Sequence, residues 1–264
     1  MSNVRLAAGE SFVPPGPADF RLPALFGHDD FWFTKPFFLL VLAAAVVIAF
    51  FVVTSRNASV VPSRLQFAGE QAYGWVRNSI AREIIGSQEF MKFVPYLVAL
   101  FFFLVVNNYF ALVPFIQYPT LSSVGFVYGL ALLSWVLYNG LGIRRHGFVG
   151  YLKHQSKPPG VKGAVLFLIV PLEFMSNILV RPITLSLRLW ANLFAGHILL
   201  LLFALGGEYL ILDADKAAYI PVGVLSLLMG LAVGFLELLV LGLQAYVFTL
   251  LTAMYISGAL AEEH

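Results

Sequence analysis

The stretch LSLRLWANLFAGH, residues 185–197, places an arginine, an asparagine and a histidine inside an otherwise apolar part of the chain. An arginine inside a membrane costs about 2.5–3.5 kcal/mol on insertion scales, so such a residue is by default a candidate functional group. Arg188 and Asn192 are four residues apart and share one face of a helix, whereas His197 lies about 180° from Arg188 around the helix axis. The spacing therefore predicts two separate polar sites on one helix.

A later apolar run carries Glu237 and Gln244, which are seven residues apart and also share a helix face. If residues 207–217 form the turn of an antiparallel helical hairpin, residues at equal depth have a nearly constant sum of sequence numbers. Gln244 then lies level with Arg188, and Glu237 lies level with His197. The Glu–His level is about 13 Å nearer the turn than the Arg–Gln level.

The Glu–His level is suited to passing protons, because an imidazole titrates near neutrality. The alternative is a structural polar pair that locks the hairpin. Arg188 has no acidic residue at its own level, so we expect its counter-charge to be a carboxylate on another subunit. Glu173, with Asn177 four residues further on, is a weaker candidate for the proton pathway. Arg181 precedes a proline and is expected to reach toward the membrane interface.

The composition excludes a water-soluble fold. Of the 264 residues, 60% are hydrophobic and 11% charged, whereas soluble domains have about 45–50% and about 25%. Long apolar runs without a period of two predict spanning helices rather than a barrel. A net charge of +2 gives no pull toward nucleic acid, and the lack of cysteine excludes disulfide and thiolate chemistry. We expect no cofactor, no metal and no catalytic chemistry of the chain's own, because it has no phosphate loop or hydrolase motif.

The predicted fold class is an all-α polytopic membrane protein, with about five transmembrane helices and one amphipathic helix on the membrane surface. The chain is treated as a single membrane domain, residues 1–264. Its predicted parts are an extracytoplasmic segment (1–35), a first span (36–53), a surface helix (65–84), two spans (93–142) and a long tilted helical hairpin (164–260).

Two of these parts leave alternatives open. The helix over 65–84 carries charged residues between its apolar positions, and a cytosolic helix that binds a partner is the alternative to a membrane-surface helix. The apolar run 164–206 would be ~64 Å long as a straight helix, about twice the hydrocarbon thickness. It is therefore one tilted or bent span, or two spans broken at Arg181-Pro182.

Basic residues set the expected orientation. Five Lys or Arg fall within 54–92 and five within 144–162, a stretch expected to form a loop. The positive-inside rule places both regions in the cytoplasm. The N-terminus and the acidic residues of 207–217 are then outside and the C-terminus is inside, provided that 164–206 crosses once. The N-terminal region lacks a basic presequence, which favours a bacterial plasma membrane.

The segments RPITLSLRLWANLFAGH and FLELLVLGLQAYVFTLLTAMYISGALAEEH closely resemble subunit a of F-type ATP synthases, and the likeness is strong over residues 170–264. In that family the arginine of the LRL motif is the essential stator charge, and it matches Arg188. The asparagine, the paired Glu and His positions and the glutamine of the family match Asn192, His197, Glu237 and Gln244.

The resemblance implies a proton-translocating stator subunit whose long hairpin faces a rotating ring of c subunits. Two aqueous half-channels and contacts with the b subunits of the peripheral stalk are implied as well. Glu173 and Asn177 are weaker candidates for lining the cytoplasmic half-channel. The competing interpretation is an ion-translocating subunit of a respiratory complex or a secondary transporter. The absence of an internal repeat disfavours it. A structural membrane anchor, the third possibility, would have no use for two polar levels.

Overall fold

The computed structural model describes residues 14–16, 35–56, 59–87, 89–113, 120–156, 166–212 and 217–261. Within these ranges the regular secondary structure is entirely helical. Four helices are long and apolar enough to cross a membrane, and a further apolar helix is shorter. The predicted fold class, an all-α polytopic membrane protein, is confirmed.

The helices follow one another with short connections. They are α1 (Lys35–Ser55), α2 (Arg64–Val76), α3 (Glu83–Ile85), α4 (Val94–Tyr109), α5 (Val124–His146), α6 (Phe148–Ser156), α7 (Leu166–Phe174), α8 (Arg181–Leu212) and α9 (Ile220–Leu260). A π-helical segment, Arg77–Arg82, joins α2 to α3, and a second one, Met175–Val180, joins α7 to α8. Single 3-10 turns lie at Phe90–Lys92, Thr120–Ser122 and Ala217–Tyr219.

The segment α2–α3 corresponds to the predicted surface helix. It begins at Ser63, whose side chain accepts a hydrogen bond from the backbone of Gln66 and so caps the first turn. Val76 and Ile80 are fully buried against the helices of the bundle, whereas Leu65 is 62% exposed. Its position on a membrane surface, and the alternative of a cytosolic binding helix, stay predictions.

The run from α7 through α8 is one continuous helical segment, Phe167–Leu212, of 46 residues. It passes Pro182 without a break, so two spans divided at Arg181-Pro182 are not what the structure contains. Proline has no N–H to donate to the carbonyl four residues earlier, which here is the carbonyl of Ile178. That carbonyl instead accepts a hydrogen bond of 2.8 Å from Trp135 Nε1 of α5. The π-helical segment and this donor from a neighbouring helix together accommodate the proline.

Helices α8 and α9 form the predicted antiparallel hairpin. Ser226 Oγ of α9 donates to the carbonyl of Phe203 at 2.9 Å, near the turn. The backbones also meet closely where a Cβ on Gly207 would lie 3.0 Å from the carbonyl oxygen of Gly223. These contacts have the register that the constant sum of sequence numbers requires, and they confirm that register.

The turn of the hairpin is shorter than predicted, because α8 continues through the glycines to Leu212 instead of ending before residue 207. Glycine is a poor helix former, but Gly207 is buried against Leu227 and Gly223 of α9, where only a small residue fits. Tertiary packing therefore overrides the local preference. Residues 213–216, which include two of the acidic residues, lie outside the described residues.

The prediction of a loop over 144–162 is wrong in its first half, because residues Phe148–Ser156 form helix α6. Gly147, with φ of 73°, ends α5 in a conformation that glycine adopts without strain. The chain then folds back, and Tyr151 of α6 is buried against α5. Residues 157–165, like nearly all of the predicted segment 1–35, lie outside the described residues.

Candidate functional site

Arg188 lies on a face of α8 that the described residues of this chain leave exposed. Its neighbours Leu185 and Leu189 are buried in the core formed with α4, α5 and α9, whereas Arg188 is exposed. Among the residues that the structure describes, no acidic side chain forms an ion pair with it. The guanidinium is therefore directed toward whatever adjoins the outer face of the hairpin.

Asn192, one turn further along the same face, bridges the two long helices. Its Nδ2 donates a hydrogen bond of 2.9 Å to Oε1 of Gln244 on α9. Gln244 is buried, and its own Nε2 has no hydrogen-bond partner among the described residues. The sequence predicted Gln244 to be level with Arg188; the structure pairs it with Asn192, one helical turn beyond Arg188 on α8.

Glu237 of α9 is buried against Gly196 of α8. A Cβ added to Gly196 would lie 3.3 Å from Oε1 of the glutamate, so the glycine allows the carboxyl group to approach the backbone of α8 closely. The side chain is 4% exposed, and both of its oxygens are buried without a hydrogen-bond partner in the described part of the chain. A buried ionised carboxylate without partners is costly.

His197 is buried on α8 beside Gly196, at the level predicted for it. The structure thus brings the glutamate and the histidine positions to the same part of the hairpin, but Glu237 makes no hydrogen bond to His197. Both the proton relay and the locking pair assumed a Glu–His contact. The structure shows no direct hydrogen bond between them, and a relay between the two would need water.

Two residues that sequence reasoning missed lie at the end of α4, adjacent to this part of α9. Asn107 and Asn108 are both fully buried. Asn108 Nδ2 donates to the carbonyl of Leu241 at 2.9 Å, one turn beyond Glu237. Each asparagine has a buried Oδ1 without a hydrogen-bond partner among the described residues, and the same is true of the hydroxyl oxygen of Thr120. The signal was present in the sequence, because two adjacent asparagines inside an apolar helix are unusual for a span.

A further polar group lies at the opposite end of the α7–α8 run. Asn177 Nδ2 donates to Oε2 of Glu173 at 3.1 Å and to the backbone carbonyl of Gln155 at 2.7 Å. Both side chains are half-buried. Arg181, expected at the interface, lies with its guanidinium 5.1 Å from the centre of the Tyr255 ring on α9, a cation–π contact.

The ionisable groups are therefore ordered along one hairpin. Glu173 lies on one side of Arg188, at about 22 Å along the helix, and His197 lies on the other side, at about 13 Å. Glu237 packs against Gly196, beside His197. The carboxyl groups of Glu173 and Glu237 therefore lie on opposite sides of the fixed positive charge of Arg188. In the described residues no group of three His, Asp or Glu side chains could hold a metal ion.

The fold and these groups define a class of protein: an all-helical, multi-pass membrane protein whose longest hairpin carries ionisable side chains along its length. The model of the ATP synthase A chain family matches residues 37–257. The chain is 59% identical to the ATP synthase subunit a of Nocardioides sp. over its full length and covers 98% of that protein. It is 45% identical to the ATP synthase subunit a of Paenarthrobacter aurescens, over 96% of each chain. The chain belongs to the ATP synthase subunit a family, and the resemblance found in the sequence is confirmed.

Proposed function

We propose that this chain is the proton-translocating stator subunit of an F-type ATP synthase, with Arg188 facing the carboxylates of a rotating c-ring between two aqueous half-channels. The observation that carries the proposal is the state of Arg188, which is exposed, has no acidic partner among the described residues and lies between two carboxyl-bearing groups. An arginine at membrane depth is tolerated when its counter-charge comes from a neighbouring subunit.

The outer half-channel leads to Glu237. Within the described ranges, the carboxyl oxygens of Glu237 have no hydrogen-bond partner, and neither do the amide oxygens of Asn107 and Asn108. Buried polar atoms of this kind are usually satisfied by ordered water. A water-filled path along these groups would bring protons to Glu237 and His197, from which they pass to a ring carboxylate.

The cytoplasmic half-channel leads from the ring past Glu173 and Asn177. The amide of Asn177 keeps the Glu173 carboxylate oriented through a hydrogen bond of 3.1 Å. A carboxylate held in this way can accept a proton released from the ring and pass it to cytoplasmic water.

Arg188 separates the two paths. It attracts each arriving ring carboxylate in its ionised form and so favours release of the proton toward the cytoplasm. The fixed positive charge also repels protons that would otherwise pass directly from one half-channel to the other. Each charge that crosses a potential of 100 mV contributes about 2.3 kcal/mol to rotation.

The same proposal places the chain in its membrane. The basic regions 54–92 and 144–162 face the cytoplasm of a bacterial plasma membrane, so the N-terminus lies outside and the C-terminus inside. The c-ring adjoins the face of the hairpin that carries Arg188, and b subunits of the peripheral stalk adjoin the bundle elsewhere.

The experiment that tests the proposal is ATP-driven acidification of inverted membrane vesicles carrying Arg188→Ala. Pumping should be abolished in a complex that still assembles, and passive proton leak should rise in vesicles stripped of the soluble sector. Arg144→Ala is the matched control, because Arg144 is also an exposed arginine and lies in the last turn of α5 rather than on the hairpin. Normal pumping with Arg188→Ala would show that the stator role is wrong.

A further inference from the structure

Helix α6 carries none of the side chains that the proposed function assigns to the proton pathway, yet it packs closely against the bundle. It has nine residues and packs against both α5 and α7. Two of its polar side chains, Tyr151 and Gln155, are buried, with 2% and 7% of their surface exposed. Polar side chains are buried to this degree when their hydrogen bonds are satisfied.

The hydroxyl of Tyr151 is the centre of these hydrogen bonds. It donates to Oδ1 of Asn139 on α5 at 2.9 Å and accepts from Nε2 of Gln155 at 2.7 Å. The amide of Asn139 is itself held, because its Nδ2 donates to the carbonyl of Trp135 at 2.7 Å. Burial raises the pKa of Tyr151, so its hydroxyl keeps the proton that it donates to Asn139.

The ring of Tyr151 occupies a space that α5 provides through a glycine. A Cβ on Gly142 would clash with the edge of the ring. The position of α6 is therefore fixed twice over, by the fit of the ring against Gly142 and by the hydrogen bonds of the hydroxyl.

Helix α6 is connected in turn to the Glu173 group. The backbone carbonyl of Gln155 accepts a hydrogen bond of 2.7 Å from Nδ2 of Asn177, whose amide also donates to Glu173 at 3.1 Å. Asn177 lies in the π-helical segment, which Trp135 holds from the α5 side through the carbonyl of Ile178. A displacement of α6 would thus remove one of the contacts that orient the Asn177 amide.

We propose that Tyr151 is a positioning residue for the cytoplasmic proton pathway. Its hydroxyl fixes α6 against α5, α6 presents the Gln155 carbonyl to Asn177, and Asn177 holds the Glu173 carboxylate in place. The inference rests on the proposed function, in which Glu173 belongs to the cytoplasmic half-channel. The hydroxyl of Tyr151 bonds Asn139 and Gln155 and not the Glu173 carboxylate, so Tyr151 acts only through α6.

The test is Tyr151→Phe in the assembled ATP synthase, measured as ATP-driven pumping in inverted vesicles at a series of cytoplasmic-side pH values. Phenylalanine keeps the ring against Gly142 and removes only the hydroxyl. We expect a loss of pumping rate of about three- to tenfold, the equivalent of one hydrogen bond, together with a displaced pH profile. Gln155→Met, which preserves side-chain length and removes the donor to Tyr151, should change both quantities in the same direction.

A matched control separates this role from the general cost of losing a buried hydroxyl. Tyr96 of α4 makes a hydrogen bond of 2.8 Å with Ser134 of α5, and that bond joins α4 to α5 rather than α6 to α5. Tyr96→Phe should leave both the rate and the pH profile unchanged. If Tyr96→Phe lowers the rate and displaces the profile as much as Tyr151→Phe does, the specific role of Tyr151 is refuted.

The route through Glu173 is tested by combining Tyr151→Phe with Glu173→Gln. If the tyrosine acts through the carboxylate, it causes no further loss once the carboxylate is gone. The same fold-loss in both backgrounds, or an unchanged pH profile in Tyr151→Phe alone, overturns the inference. Arg188→Ala, measured in the same assay, separates the two proposals. If Arg188→Ala abolishes pumping but Tyr151→Phe has a normal rate and pH profile, the role of Tyr151 is refuted and the proposed function stands.

Discussion

Replacing Gly196 by alanine perturbs the contact between α8 and Glu237 without replacing any ionisable residue. The new Cβ would lie 3.3, 3.4 and 3.5 Å from Oε1, Cδ and Cγ of the glutamate. The distance to Oε1 is tighter than nine in ten Cβ contacts, so that oxygen must give way by a few tenths of an ångström, whereas the distances to Cδ and Cγ are ordinary contacts. A misplacement of 1 Å in a reacting group can cost about 10²-fold in rate. We therefore expect proton pumping to slow by roughly three- to fivefold.

The stability of the Gly196→Ala variant should not fall with its pumping rate. Alanine is favoured over glycine in a helix by about 1 kcal/mol, and the contacts at Gly196 require displacement of one side chain rather than of backbone. Gly196→Ala should therefore assemble as well as the natural chain, and its thermal unfolding should not occur at a lower temperature. A slower but equally stable complex is the expected signature of a displaced carboxyl group.

Gly234→Ala is the matched control on the facing helix. A Cβ at Gly234 would lie 3.6 Å from Cδ1 of Leu200, an ordinary contact that requires no movement. The assay is ATP-driven acidification of inverted vesicles with equal amounts of assembled complex, with Glu237→Gln as the reference for a carboxyl group removed altogether. Equal rates for Gly196→Ala and Gly234→Ala would refute the view that the position of Glu237 limits pumping.

Two further predictions concern other parts of the α7–α8 run. Single cysteines at positions 173 and 177 of this cysteine-free chain should react with a water-soluble thiol reagent added from the cytoplasmic side; protection of both would show that Glu173 and Asn177 do not line that half-channel. Trp135→Phe removes the donor to the carbonyl of Ile178. It should lower the free energy of unfolding of the purified complex by about 1–3 kcal/mol, the cost of an unsatisfied buried group, and thermal unfolding should show the loss. Adding Pro182→Ala should restore part of this loss, because residue 182 regains an N–H; an additive loss in the double variant would contradict the explanation.

The register of the hairpin could be predicted from the sequence, because two long helices joined by a short turn leave little freedom in how residues pair. The level of His197 and Glu237 followed from that register alone. The same reasoning could not predict that Gln244 would bond Asn192 rather than lie beside Arg188. Arg188 and Asn192 are one helical turn apart, and side-chain packing between α8 and α9 decides which of them Gln244 meets. The sum of sequence numbers is too coarse to predict that choice.

The features that sequence reasoning missed depend on contacts between distant parts of the chain. Helix α6 exists because Tyr151 fits against Gly142 and bonds Asn139, and no local pattern announces that fit. The uninterrupted helix at Pro182 likewise depends on the indole N–H of Trp135 on α5, which donates a hydrogen bond to the carbonyl of Ile178. Local propensity predicted a loop in the first case and allowed a break in the second, and tertiary contacts overrode it in both.

The exposed guanidinium of Arg188 also has a consequence for biogenesis. If the proposed function holds, a copy of this chain that enters the bilayer before its ring has on its outer face an arginine without an acidic partner among the described residues, and an arginine at membrane depth costs about 2.5–3.5 kcal/mol. Proteins are stable by only about 5–15 kcal/mol, so the orphan subunit loses a substantial part of its margin. On that proposal, the stability of a newly made copy depends on the arrival of the partner that neutralises Arg188.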